Sequence, residues 1–256
     1  MNVNTKLFLN LFNKDFFHFF AIALLSVFPV LFFVGTGILN LGIILLDLIF
    51  ISELIKKKRI NFLKNYIFYS LILLWLTFLI NIIFSIDSSN SFNRGFGFLR
   101  FIFFVMAIQY YFNINNQKYQ KLVLNSWLII FFITSLDLVY ELIYGKNIFG
   151  FESYIHGRLA GFFNDELIVG HFYYAFILII ISFLLSKFKN KEIKISKNKY
   201  DFKNFIYIFI IIFLTISFFI GERSNFAKVF IMILLFTFLF EKKFYKFKFA
   251  LFTIFF

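Results

Sequence analysis

The chain has 256 residues, 61% of them hydrophobic and 48 of them phenylalanine, and it carries a formal net charge of +13. Its apolar residues come in blocks near the length that carries a helix across ~30 Å of hydrocarbon, which excludes a water-soluble globular domain. The absence of cysteine excludes disulfides and thiolate metal sites.

In chain order the hydropathy pattern predicts spans at 16–34, 37–55, 66–84, 96–112, 122–143, 167–186, 205–220 and 226–240. A ninth apolar segment begins near Phe249 and ends at Phe256, too short to reach the other face. The expectation is an all-α, polytopic, single integral membrane domain over 1–256, the N-terminal part of a longer domain. The first apolar block is long enough to span and has no small-residue cleavage site, so it reads as a retained helix.

Lys and Arg are retained on the cytoplasmic side during insertion. Alternating the loops with the N-terminus inside gathers Lys6 and Lys14, the cluster Lys56, Lys57, Lys58, Arg59 and Lys64, Lys118 and Lys121, and the lysine-rich stretches 187–203 and 242–248 on that side. Left outside are Arg94, Arg100, Lys146, Arg158, Arg223 and Lys228. Four of the five arginines are therefore in this group. Topology accounts for the lysines and leaves those arginines unexplained. This predicts a multi-pass protein with its N-terminus on the cytoplasmic side.

Abundant Phe, Ile, Lys and Asn with a single proline, Pro29, match an A/T-rich coding bias, so aromatic content alone does not mark a binding platform. The positive charge is spread over short loops, which fits an anionic leaflet better than nucleic acid. No Gly-rich phosphate loop or metal-type histidine spacing is present, so no cofactor, nucleotide or metal is expected.

Four places hold candidate chemistry. Arg94 lies in the outer connection 85–100, and Arg100 falls about one turn inside the following apolar block, where a charge is costly unless paired or wetted. The longest outer connection contains His156, Arg158 between Gly157 and Gly161, and then Asn164, Asp165 and Glu166. Arg158 offers a planar, bidentate donor suited to phosphate oxygens, and the Asn164, Asp165 and Glu166 trio can cap the next helix and complement its dipole. A short turn holds Gly221, Glu222, Arg223, Ser224 and Asn225, where Glu222 can neutralise Arg223. Asp137 and Glu141, spaced i,i+4, share one helix face and are expected to pair with Arg100 or Arg158. Asp47 and Glu53 are expected to pair with the Lys56–Arg59 cluster near the inner end of their span.

Arg158-x-x-Gly161-Phe162, then Asn164-Asp165-Glu166 and a span, then Gly221-x-Arg223-Ser224 opening the next helix, resembles the O-antigen ligase and O-antigen polymerase family of bacterial envelope glycosyltransferases. The resemblance runs from about Asp87 to Glu241. It implies a metal-independent enzyme of the bacterial inner (cytoplasmic) membrane that moves a glycan from a polyprenyl-diphosphate carrier to a saccharide or lipid A-core acceptor at the periplasmic face. Carried over by motif, Arg158 and Arg223 are diphosphate ligands. Arg100 and Arg94 are further substrate-binding candidates, and Asp137, Glu141 and Glu222 supporting ones. The family's acceptor-activating histidine follows later spans and is not matched by His156 or His171, so little or no transferase activity is expected of this chain by itself. The competing readings are a transporter or flippase for a lipid-linked glycan and a non-catalytic membrane subunit. A transporter would favour broken helices at matching positions in two halves, and the sequence shows no such repeat.

Overall fold

A computed structural model describes residues 3–114, 117–153, 155, 157–163, 168–188, 192–195, 198–201 and 203–240. His156, Asn164, Asp165, Glu166 and the segment after 240 lie outside the described residues, so the expectations placed on them are not taken further.

The chain is helical: α1 Val3–Val34, α2 Thr36–Lys56, α3 Tyr66–Ile83, α4 Ser88–Gly97, α5 Leu99–Ile114, α6 Gln117–Tyr144, α7 Val169–Phe188, α8 Lys203–Phe219 and α9 Arg223–Phe240. Among the described residues six helical segments are long and apolar enough to cross a membrane, and they match the first six expected spans. α8 contributes a shorter apolar stretch, Ile208–Phe219. Outward-facing Leu, Ile and Phe along these helices, such as Leu73, Ile80 and Ile133, are stable only against lipid. The protein is a multi-pass membrane protein. One departure from an all-helical chain is a small antiparallel hairpin in the lysine-rich connection between α7 and α8, β1 Glu192–Ile195 pairing with β2 Asn198–Asp201.

Two compact units divide the chain, 1–126 and 127–256. In the first, α1 packs on α2, α2 on α5, and α3 on α4 and α5. Gly42 lets Leu31 of α1 lie directly on the α2 backbone, because a Cβ there would overlap its side chain. The core is aromatic: Tyr110 meets Phe50 and Phe62 edge-on, at 5.3 and 5.2 Å between ring centres. At one end of this unit Glu53, almost fully buried, is satisfied from three sides. Lys57, at the C-cap of α2, donates to it, Tyr111 donates at 2.9 Å, and His18 lies 3.7 Å away. This matches the expected pairing of Glu53 with the basic cluster.

In the second unit α7 packs on α8 and α9, and α8 on α9. Phe131 of α6 touches Phe172, Tyr173 and Phe213, which ties α6, α7 and α8 together. Ser135 and Tyr173 hydrogen-bond within this core, so the buried phenol is not left unpaired.

The connection 85–100 differs most from expectation. It is mostly helix α4, with Asp87 as N-cap accepting from the Asn90 amide at 3.1 Å and from the Asn90 side chain. These Asn90 hydrogen bonds hold the Asp87 carboxyl below its ordinary range. α4 then runs almost directly into α5, so Arg100 lies near the middle of a 26-residue span, Ser88–Asn113.

Candidate functional site

The site is clearest in the second unit, where the loop carrying Arg158 is built by carboxylates at the end of α6. Glu141 accepts from the backbone amides of Ala160 at 3.0 Å and Gly161 at 2.7 Å. One turn back, Asp137 accepts from the Ile148 amide at 2.9 Å. Asn147 closes the frame, donating to the Gly161 carbonyl at 2.6 Å and accepting from the amides of Phe149 and Phe151. All three side chains are buried. Charged acceptors on buried amides are among the stronger hydrogen bonds available to a protein.

The expected pairing of Asp137 or Glu141 with Arg158 is therefore corrected. The i,i+4 spacing does put both on one face, but that face holds backbone amides at both ends of the loop. Glu141 is satisfied by its two amides, whereas Asp137 uses one oxygen for the Ile148 amide and its Oδ2 is buried without a hydrogen bond; neither carboxylate forms an ion pair among the described residues. These residues position the Arg158 loop.

The loop then docks on the turn before α9. Leu159 donates its amide to the Ile220 carbonyl at 3.2 Å. Gly221, at φ +81°, lies against Gly157 and Arg158: a Cβ there would overlap the Gly157 carbonyl and come within 3.1 Å of Arg158 Cγ. Only glycine gives both the positive φ and the close approach. Arg158 and the Gly221–Arg223 turn are thus brought to one place. Arg158 is half-buried, Arg223 is exposed at the first position of α9, and among the described residues neither has an ion-pair partner.

Glu222 does not neutralise Arg223. Its carboxylate, 8% exposed, accepts from the Gly170 amide at 3.2 Å and from the Asn225 side chain. It sits where α7 and α9 both begin, and helix N-termini favour a negative charge there. Gly170 is what lets the helices meet so closely, since a Cβ would overlap the Glu222 carboxylate. With Glu222 committed to amides, the Arg223 charge is left uncompensated.

Asn225, already placed in this turn by the sequence, is joined here by His171 and Lys228, which the sequence did not single out for this place. Asn225, 2% exposed, bridges Glu222 and His171, with its side-chain nitrogen 3.2 Å from His171 Nδ1. His171 is exposed, with Nδ1 3.9 Å from Glu222. Lys228 lies one turn further along α9, above the Tyr174 ring. The spacing of Asn225 and Glu222 on α9 hints at a shared face, but contact with His171 depends on the α7–α9 crossing.

The arginines of the first unit have other surroundings. Arg94 lines a cleft of 440 Å³ between α3 and α4. Arg100 packs over the Phe101 ring and its Nε is buried without a hydrogen bond. Its charge acts on Asp47, 6% exposed, whose Oδ1 is also unpartnered. The expected pairing of Asp47 with the lysine cluster is corrected: Asp47 is mid-helix in α2, roughly 13 Å along the axis from Lys56 at 1.5 Å per residue, and faces α5. Among the described residues no His, Asp and Glu group has a metal-binding arrangement.

Comparison with known proteins finds no matching family model, no matching curated protein and no matching solved structure.

Proposed function

We propose that the protein binds a polyprenyl-diphosphate-linked glycan through Arg158 and Arg223, and that this is the donor site for transfer of the glycan to a saccharide or lipid A-core acceptor, as in O-antigen ligases and polymerases. The reading rests on one observation: the Arg158 loop docks on the glycine turn that opens α9, so two guanidiniums without ion-pair partners share one end of the second unit. Glu222 and the amides around it supply a rigid frame. Cations fixed in this way stabilise the charge that collects on a leaving diphosphate as the glycosidic bond breaks, without reorganising during the step. The donor site proposed here uses two of the four outer arginines, Arg158 and Arg223, both in the second unit.

The test is binding of a polyprenyl-diphosphate glycan by the purified protein in detergent. Arg158→Ala and Arg223→Ala are each expected to weaken binding by about tenfold or more, the loss of a charge-assisted contact, with helicity unchanged. Equal binding by wild type and both variants overturns the reading.

Transport of a lipid-linked glycan has one observation on its side, the buried Asp47 and half-buried Arg100 in mid-span, since intramembrane charges often mark a pathway. Flipping of labelled donor in proteoliposomes that is abolished by Asp47→Asn would favour it.

A further inference from the structure

The cleft between α3 and α4 has a chemistry of its own. At its polar end are Arg94, Asn81, Ser85 and Ser91; below them lie Phe78 and Phe98. The helices around it are pinned together: Trp75 donates its indole N–H to the Gly95 carbonyl at 2.9 Å and meets Phe96 edge-on. Gly95 faces Ile82 so closely that a Cβ would come within 2.8 Å of it. The cleft is therefore a fixed feature of the α3–α4 contact.

The polar groups leave a cation unmatched. Ser85 is engaged with Ser91 and with the Asp87 carbonyl. The Arg94 and Asn81 side chains are exposed, and neither side chain takes part in a hydrogen bond or ion pair among the described residues. Asp87 is the acidic group acting with Arg94, but its carboxylate is turned to the Asn90 amide and side chain at the start of α4. A net positive end remains, with the Asn81 amide as a second donor.

Size and lining together select the ligand. A bare phosphate would match Arg94 but leave Phe78 and Phe98 in water, and 440 Å³ is far more room than it needs. A purely apolar ligand would bury the guanidinium unpaired, at a cost. An amphiphile with a phosphate at one end and a hydrocarbon chain at the other satisfies both. Beside the cleft α3 exposes Leu74, Ile80 and Ile83, so bilayer lipid is the neighbouring phase. We propose that this cleft binds a membrane phospholipid, with its phosphate on Arg94 and Asn81 and an acyl chain along Phe78 and Phe98. The site lies wholly within the first unit and does not depend on the glycan-transfer reading.

The experiment is native mass spectrometry of the full chain released from detergent and titrated with phosphatidylglycerol. Diacylglycerol with the same chains and inorganic phosphate serve as separate arms. One phosphatidylglycerol per chain is expected to be retained, with diacylglycerol retained far less and inorganic phosphate failing to displace the lipid. Arg94→Ala is expected to weaken retention about tenfold and Asn81→Ala by a smaller factor. The second variant keeps the proposal testable if the first does not fold, because the Asn81 side chain is exposed and makes no hydrogen bond among the described residues. Arg158→Ala is expected to leave retention unchanged, which separates this site from the donor site. Equal retention by wild type, Arg94→Ala and Asn81→Ala overturns the proposal, as does diacylglycerol held as tightly as phosphatidylglycerol, or displacement of the lipid by inorganic phosphate.

Discussion

Asp47 and Arg100 show how far one residue's role depends on its depth. Each is near the middle of a span, and each leaves a buried polar atom without a hydrogen bond. Removing one charge leaves the other uncompensated in a medium that solvates it poorly. Arg100→Ala is expected to destabilise the protein by on the order of 2 kcal/mol, and adding Asp47→Asn to recover much of that loss, a coupling in the range seen for interacting pairs. Thermal unfolding in detergent across the four-member cycle checks this; additive effects would show that the charges do not interact. Glu141 makes the complementary case, since its carboxylate is committed to the amides of Ala160 and Gly161. Glu141→Ala is expected to cost about 2 kcal/mol and to weaken donor binding although the side chain does not reach Arg158. Glu141→Gln, which keeps one acceptor oxygen, is expected to recover part of both.

Among the elements, the turn between α8 and α9 is the most demanding. Gly221 combines φ +81° with direct contact against the Gly157–Arg158 backbone. Gly221→Ala is expected to push the Arg158 loop away and to reduce donor binding about as much as Arg158→Ala, while Gly97→Ala, in a place with open space around the Cβ, leaves binding unchanged. Comparing donor affinities of the two variants checks this. The apolar periodicity of the long helices is legible in the sequence, but α4 is not, because Ser, Asn and Gly dominate it and give the pattern of a loop. The signal that could have found it is Asp87 ahead of Ser88, Ser89 and Asn90, an N-cap sequence whose first turn is closed by Asn90. Similarly, the i,i+4 spacing of Asp137 and Glu141 gave their shared face correctly and their partners wrongly, because local periodicity fixes direction and cannot show which segment folds back onto it.

For the whole molecule the testable statement is topology. The distribution of lysine predicts that the connection before α3 lies inside and the α3–α4 connection outside. A chain without cysteine is well suited to checking it. Asn61→Cys is expected to react with an impermeant maleimide only after the membrane is opened, and Ser89→Cys to react in intact spheroplasts; the reverse pattern would invert every loop assignment. The sequence by itself determined that the chain crosses a membrane, where its first six apolar helices run, and that its arginines are distributed differently from its lysines. Burial of apolar length and retention of basic loops are properties of contiguous segments, so composition and order suffice to reveal them. Only the tertiary structure decided that Glu141 and Asp137 hold amides, that Glu222 leaves Arg223 unneutralised, that His171 meets Asn225, and that Asp47 faces Arg100. Each of these contacts joins residues far apart in the chain, and its geometry comes from how closely helices and loops approach at Gly161, Gly170 and Gly221 and along the α2–α5 contact.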